Sequence, residues 1–127
     1  MPAIITPERP DTPDAVALIA EGVAFFLIRD DGAPVGCGGI KLFGTEYGEI
    51  KRMYVRPQFR CMGFAKLMLN HLADYARSQA VGTLRLETGI HQHEAIGLYE
   101  QMAFQRIPPF GEYKEDPLSR FYEKRIL

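Results

Sequence analysis

The chain has no tryptophan, only two cysteines and almost no net charge, −1 over 127 residues. Each shortage removes a class of protein. Two thiols, Cys37 and Cys61, are too few for the disulfide framework that holds a small secreted domain together, so free thiols are the plainer reading. The balanced charge lacks the basic footprint of a nucleic-acid binder. No apolar run is long enough to span a bilayer, and the opening MPAIITPERPDTPD has no signal-peptide pattern, so the expectation is a cytoplasmic protein. No internal repeat or low-complexity tract interrupts it. With 46% apolar residues, the chain reads as one domain, 1–127, with a core of its own. Its first 13 residues hold four prolines and read as an extended arm.

The periodicity then sets out the elements. Asp14 caps a short helix through Ala15, Val16, Leu18 and Ile19 that Gly22 closes. Residues 23–29 form an apolar run suited to a buried strand, and Asp30-Asp31-Gly32 is a hairpin signal. Residues 34–43 make a second strand, whose glycines 36, 38 and 39 mark close backbone approaches or a bulge. A turn near Gly44 leads to a third strand that stops at Arg56-Pro57, because proline offers a ladder no N–H. From Gly63 on, Ala65, Met68, Leu69, Leu72 and Ala76 recur at helical spacing, opposite Lys66, Asn70, Asp74, Arg77 and Ser78. Residues 83–87 alternate as a short strand, and 94–102 read as a helix with Ala95, Leu98, Tyr99 and Met102 on one stripe. Residues 104–107 and 121–126 are the last strands, on either side of the loop PPFGEYKEDP. The order β-β-β-α-β-α-β-β describes an α/β (α+β) domain with helices packed on a mixed sheet.

Chemistry gathers between the third strand and the helix after it. Their join is Arg60-Cys61-Met62-Gly63-Phe64-Ala65, where a glycine and a small residue let backbone N–H groups approach a ligand. The free N–H groups and positive dipole end of the helix suit an anion. Lys51, Arg52, Arg56, Arg60 and Lys66 lie along this stretch with no acidic residue among them. The pattern is that of a phosphate site, without the GxxxxGK[ST] of a P-loop or the GxGxxG of a dinucleotide fold.

Arg60-x-x-Gly63-x-Ala65 resembles the (Q/R)xxGx(G/A) pyrophosphate loop of the GNAT (Gcn5-related) N-acetyltransferases. The strand Glu49-Ile50-Lys51-Arg52-Met53-Tyr54-Val55 before it is similar too, as is a later segment, Leu86-Glu87-Thr88-Gly89 followed by residues 91–100. The likeness covers residues 23–127. It implies a mostly antiparallel sheet flanked by helices, acetyl-coenzyme A as cosubstrate, no metal, and an amine as acceptor. Carried over position by position, it makes Glu49 the general base and Tyr99, within Leu98-Tyr99-Glu100, the acid that protonates the leaving thiolate. The backbone N–H of Met53 would meet the developing oxyanion, and the main chain at Tyr54 and Val55 would pair with the pantetheine amides. Arg60, Cys61, Met62, Gly63, Phe64, Ala65 and Lys66 would cradle the pyrophosphate. Gln92, where many relatives carry asparagine, would contact the coenzyme A arm.

Plainer readings stand beside these. Glu49 is equally a strand glutamate paired with Lys51 or Arg52, and Tyr99 a core aromatic, although a tyrosine can pack its ring and use its hydroxyl. The cradle has as its alternative an ordinary helix N-terminus with solvated arginines. His91 and His93 form an H-x-H without a third ligand, a weak metal signal. His71 reads as solvated. Oxidation of Cys61 would block the cofactor. Phe110, Tyr113 and Phe121 either line the acceptor pocket or belong to the core.

The resemblance also implies a strand and a helix pair ahead of Val23. With 22 residues there, the N-terminus reads as shortened and the first strand as missing. A bare sheet edge would follow, for a partner in a homodimer to cover. The activity expected is acetyl transfer to a primary amine by direct attack. A catalytically silent coenzyme A-binding sensor or regulatory module is the rival.

Overall fold

The computed structural model describes residues 3–7 and 22–127. The strands β1 (Ile4–Pro7), β2 (Val23–Asp30), β3 (Ala33–Phe43), β4 (Tyr47–Val55), β5 (Thr83–Gly89), β6 (Gln105–Ile107) and β7 (Ser119–Arg125) form one sheet. Its spatial order is β1-β2-β3-β4-β5-β7-β6. Neighbours run antiparallel except β4 and β5. Parallel strands need a crossover. Helix α1 (Phe64–Ser78) supplies it, and α2 (His93–Gln101) follows β5. No helix among the described residues is long and apolar enough to cross a membrane.

Local chemistry accounts for most of these boundaries. Asp31 and Gly32 both take positive φ, 53° and 80°, the backbone that a two-residue hairpin matched to strand twist requires. In α1 the apolar spacing buries Phe64, Met68, Leu69, Leu72, Ala73 and Ala76. They join Ile28, Ile40, Ile50, Leu84 and Leu86 in the main core. The sheet's other face carries a second, aromatic cluster of Tyr47, Phe110 and Phe121, with Phe43 and Ile107 against it. Residues paired across a ladder share a face. Glu49 pairs with Arg85, and Glu87 with Phe121, so both glutamates lie on the aromatic side.

The glycines of β3 have two uses. A Cβ on Gly36 would stand 2.7 Å from the backbone oxygen of Tyr54, so the two strands meet there only because that position has no side chain. Gly36→Ala should cost about 1–3 kcal/mol in urea unfolding. A loss below about 0.5 kcal/mol would mean that the strands part freely. Farther on, Cys37 pairs with Tyr54 but Gly39 with Lys51, so Gly38 faces both Arg52 and Met53 across a bulge. Arg52 takes a φ of 56° in it. The Cys37 thiol donates to the Arg52 carbonyl at 3.3 Å, and burial pushes that thiol's pKa up. The extra residue turns Met53 toward α1, where it packs on the main core with Met68.

Three expectations are corrected. The first strand is present: Ile4–Pro7, expected as part of an extended arm, pairs antiparallel with β2. The β2 edge is therefore covered by the chain itself, which removes the reason for placing a partner subunit there. His71, expected in solvent, packs edge-on against Phe26 with ring centroids 4.6 Å apart. The helix expected over residues 14–22 falls mostly outside the described residues. Cys37 and Cys61 are both free thiols.

Candidate active site

Strand β4 pairs with β5 only at Gly48 and Glu49. Past that point β5 keeps only its ladder with β7, which runs from Thr83 to Gly89, and β4 from Ile50 to Val55 keeps a ladder partner only on its β3 side. A strand with an open side can accept an extended ligand as a further strand. The gap opens into a cleft of about 580 Å³ lined by the end of β4, the turn after it, the first turn of α1 and one side of α2. Met53, Tyr54, Val55, Arg60, Cys61, Gly63, Phe64, Ala65, Lys66, Gln92 and Tyr99 all line it. The fold thus brings together three segments that are up to 46 positions apart (Met53 to Tyr99). Met62 is not part of the lining, and its side chain is 59% exposed.

At the mouth of the cleft, α1 begins without a cap. Gly63 holds the N-cap position at φ 85°, with no side chain to bond the first-turn N–H groups and no acidic residue in that turn. The first intrahelical bond runs from Leu67 N–H to the Gly63 carbonyl, so the N–H groups of Phe64, Ala65 and Lys66 remain for a ligand. A Cβ on Gly63 would meet nothing within 4 Å, nor would one on Gly97, which lines the cleft from α2. This is open space bordered by donors, and its chemistry suits a diphosphate. Among the described residues none of the five nearby cations forms an ion pair. Arg60 is folded back: its Nε donates to the Val55 carbonyl at 2.9 Å and its guanidinium lies over the Tyr54 ring, 5.5 Å from the centroid. The side chain therefore braces the turn, and the uncapped N–H groups are the better-placed donors.

Tyr99 satisfies both readings of its residue type. Its ring packs near Phe104 and Tyr122, 5.5 and 6.4 Å between centroids, and the residue is 6% exposed. The hydroxyl makes no hydrogen bond among the described residues, yet no buried side-chain oxygen lacks a partner, so this oxygen reaches the open cleft. Burial pushes its pKa up to about 12, which keeps the phenol protonated and able to donate. Glu100, next along, has a structural use that its sequence gave no sign of. It accepts a hydrogen bond of 3.0 Å from the fully buried Tyr122 hydroxyl and ties α2 to β7.

Glu49 is 4% exposed and lies on the aromatic face, just where β4 and β5 part. Neither Lys51 nor Arg52 pairs with it. Its Oε2 accepts a 2.6 Å hydrogen bond from the Tyr113 hydroxyl. Burial, then that bond, then the charges of Glu49 and Glu87 hold the Tyr113 phenol well above its ordinary range. Arg85 is pinned beside them, with Nε 2.8 Å from Glu123 and its guanidinium over Tyr47 and Phe110. Phe110 and Phe121 are buried in this cluster, and Tyr113, 38% exposed, lays its ring against both. Tyr99 lines the cleft, whereas Glu49 lies on the sheet's aromatic face and is not part of that lining. His91 and His93 lie 6.4 Å apart by ring centroid, and no set of three potential metal ligands converges among the described residues.

Comparison with known proteins identifies the family and the fold. The model of the acetyltransferase (GNAT) family matches residues 4–104. The chain is 41% identical over 115 residues to the IAA acetyltransferase of Azospirillum brasilense, covering 89% of this chain and 74% of that protein. It is 39% identical over 106 residues to the uncharacterized N-acetyltransferase YsnE of Bacillus subtilis, with 82% and 70% covered. A solved acyl-CoA N-acyltransferase of Klebsiella pneumoniae aligns at a TM-score of 0.88 and 38% identity over 98% of both chains. A GNAT acetyltransferase of Elizabethkingia anophelis with acetyl-CoA bound shares the fold, at a TM-score of 0.79 and 16% identity over 97% of both.

Proposed function

The chain belongs to the acetyltransferase (GNAT) family and is an acetyl-coenzyme A-dependent acyltransferase, and from that premise we propose that it acetylates a primary amine by direct attack. The supporting observation is one cleft that holds the uncapped start of α1, the unpaired edge of β4 and the free hydroxyl of Tyr99. The first-turn N–H groups of α1 receive the cosubstrate's diphosphate, and the main chain of β4 runs beside its pantetheine arm. Gln92, at the N-cap of α2 and in the cleft lining, borders that arm.

Glu49 takes a proton from the substrate ammonium, through water, as the acceptor reaches the gap. The neutral amine nitrogen bonds to the acetyl carbon, and the carbon–sulfur bond breaks. The Met53 N–H, at the bulge, is the donor to the oxyanion that develops meanwhile. Tyr99 gives its phenolic proton to the thiolate. The second proton, left on the new amide nitrogen, returns through water to the Tyr99 phenolate, so the net release is the one proton that Glu49 took, which passes to solvent.

Titration calorimetry with acetyl-coenzyme A, run beside a thiol-release assay on a panel of amines, tests the whole reading. Saturable binding with amine-dependent release is expected. Binding without release from any amine would leave a coenzyme A-binding module, and no binding would remove the cleft assignment.

Tyr99→Phe keeps the ring packing and removes the proton donor. It should lower kcat by about 10²-fold or more with acetyl-coenzyme A affinity unchanged. Because burial raises the phenol to about 12, kcat should show no alkaline fall from Tyr99 until the pH nears that value. An unchanged rate in the variant would assign the proton to water and leave Tyr99 a packing role.

A further inference from the structure

We infer that Tyr113 is a positioning residue for the Glu49 carboxylate, a role that rests on Glu49 being the base proposed above. Tyr113 lies on the segment between β6 and β7, and its hydroxyl reaches Glu49 across 64 positions of chain. It donates to Oε2 alone. No other hydrogen bond to Glu49 exists among the described residues, and no buried side-chain oxygen is left without a partner. Oε1 therefore reaches solvent. One oxygen of the carboxylate is tied from behind while the other is available to a water or an ammonium. That is the arrangement a directional base needs, since proton transfer requires hydrogen-bond reach and alignment.

The donor itself is held firmly. The Tyr113 ring meets Phe110 at 5.3 Å in an edge-to-face contact and Phe121 at 5.3 Å. Phe110 packs edge-on against Tyr47 and Phe121, at 5.5 and 5.9 Å. Gly111, at φ 59°, and the bond from Tyr113 N–H to the Phe110 carbonyl close the turn that presents the ring. The neighbouring charges are engaged elsewhere: Glu87 accepts from the Ser119 hydroxyl at 2.6 Å, and Arg85 is paired with Glu123. A neutral hydroxyl thus orients Glu49 without neutralising it, which a lysine or arginine partner would do.

Tyr113→Phe removes the hydrogen bond and keeps the ring. The expected result is a kcat lower by about 10- to 100-fold, with the KM for acetyl-coenzyme A and the near-ultraviolet circular dichroism unchanged and the thermal midpoint lower by only the few degrees that one lost hydrogen bond costs. The decisive arm is the double variant with Glu49→Gln, in which the tyrosine change should cost nothing further, because there is no carboxylate left to orient. A wild-type rate in Tyr113→Phe would overturn the inference. So would an equal loss in the Glu49→Gln background, which would place the effect of the hydroxyl elsewhere. Full activity in Glu49→Gln alone would remove the base reading, and with it this one, and that outcome is distinct from the other two.

Discussion

Glu49→Gln is expected to lower kcat by about 10²- to 10⁴-fold, the range that a positioned general base contributes, while acetyl-coenzyme A binds as before. The separation follows from the geometry. Glu49 points to the aromatic face of the sheet and is absent from the lining of the cofactor cleft, so its charge is remote from the cosubstrate's diphosphate site. Glutamine has the same shape, and its amide oxygen can still accept from Tyr113, so unfolding should change little. What disappears is the capacity to take a proton. Stopped-time thiol release with the best amine, and calorimetry on the same sample, measure the two quantities. Loss of cofactor binding together with rate would show that Glu49 supports the fold around the cleft instead.

The second large effect is expected on binding. Gly63→Asp should weaken acetyl-coenzyme A binding by about 10²- to 10³-fold, the scale of a unit charge set about 4 Å from another near a protein surface. Sterics within the protein contribute nothing, because a Cβ at this position meets no atom within 4 Å. The positive φ costs about 1–2 kcal/mol at most, and aspartate is among the residues that tolerate it. The carboxylate acts by competing for the first-turn N–H groups of α1, and by repelling the diphosphate that would otherwise accept from them. Gly63→Ala is the control, carrying the same φ strain without the charge. If both variants bind alike, the backbone donors of α1 are not the diphosphate site.

Much of the fold and of the residues that line the candidate cleft was legible in the sequence because the signals there are local. The stripe of Met68, Leu69, Leu72 and Ala76 states a helix on its own, and Asp31-Gly32 states a hairpin, since each depends only on residues a few positions apart. Gly63 and Ala65 after a strand marked the uncapped helix start, the candidate anion site, for the same reason. Other features had no local signal. Ile4–Pro7 is short and flanked by prolines, and only its pairing with β2 makes it a strand. Glycines 36 and 38 suggested a bulge without saying that Arg52 would absorb it or that Met53 would turn toward α1. Arg60 read as a phosphate ligand by charge, whereas its reach to the Val55 carbonyl depends on how the turn folds.

By itself, then, the sequence determined the elements, the uncapped helix start and the family to which the chain belongs. Tertiary structure alone decided which side of β4 is open, because β5 pairs with it at two residues while its ladder with β7 runs the strand's whole length. It also decided what Glu49 touches. The candidates near it in sequence were Lys51 and Arg52, but the partner is Tyr113, whose contact exists only because β5 and β7 carry the last loop back over β4. Propensity and periodicity act over one or two turns of chain, whereas such a contact depends on the order of the strands in the sheet.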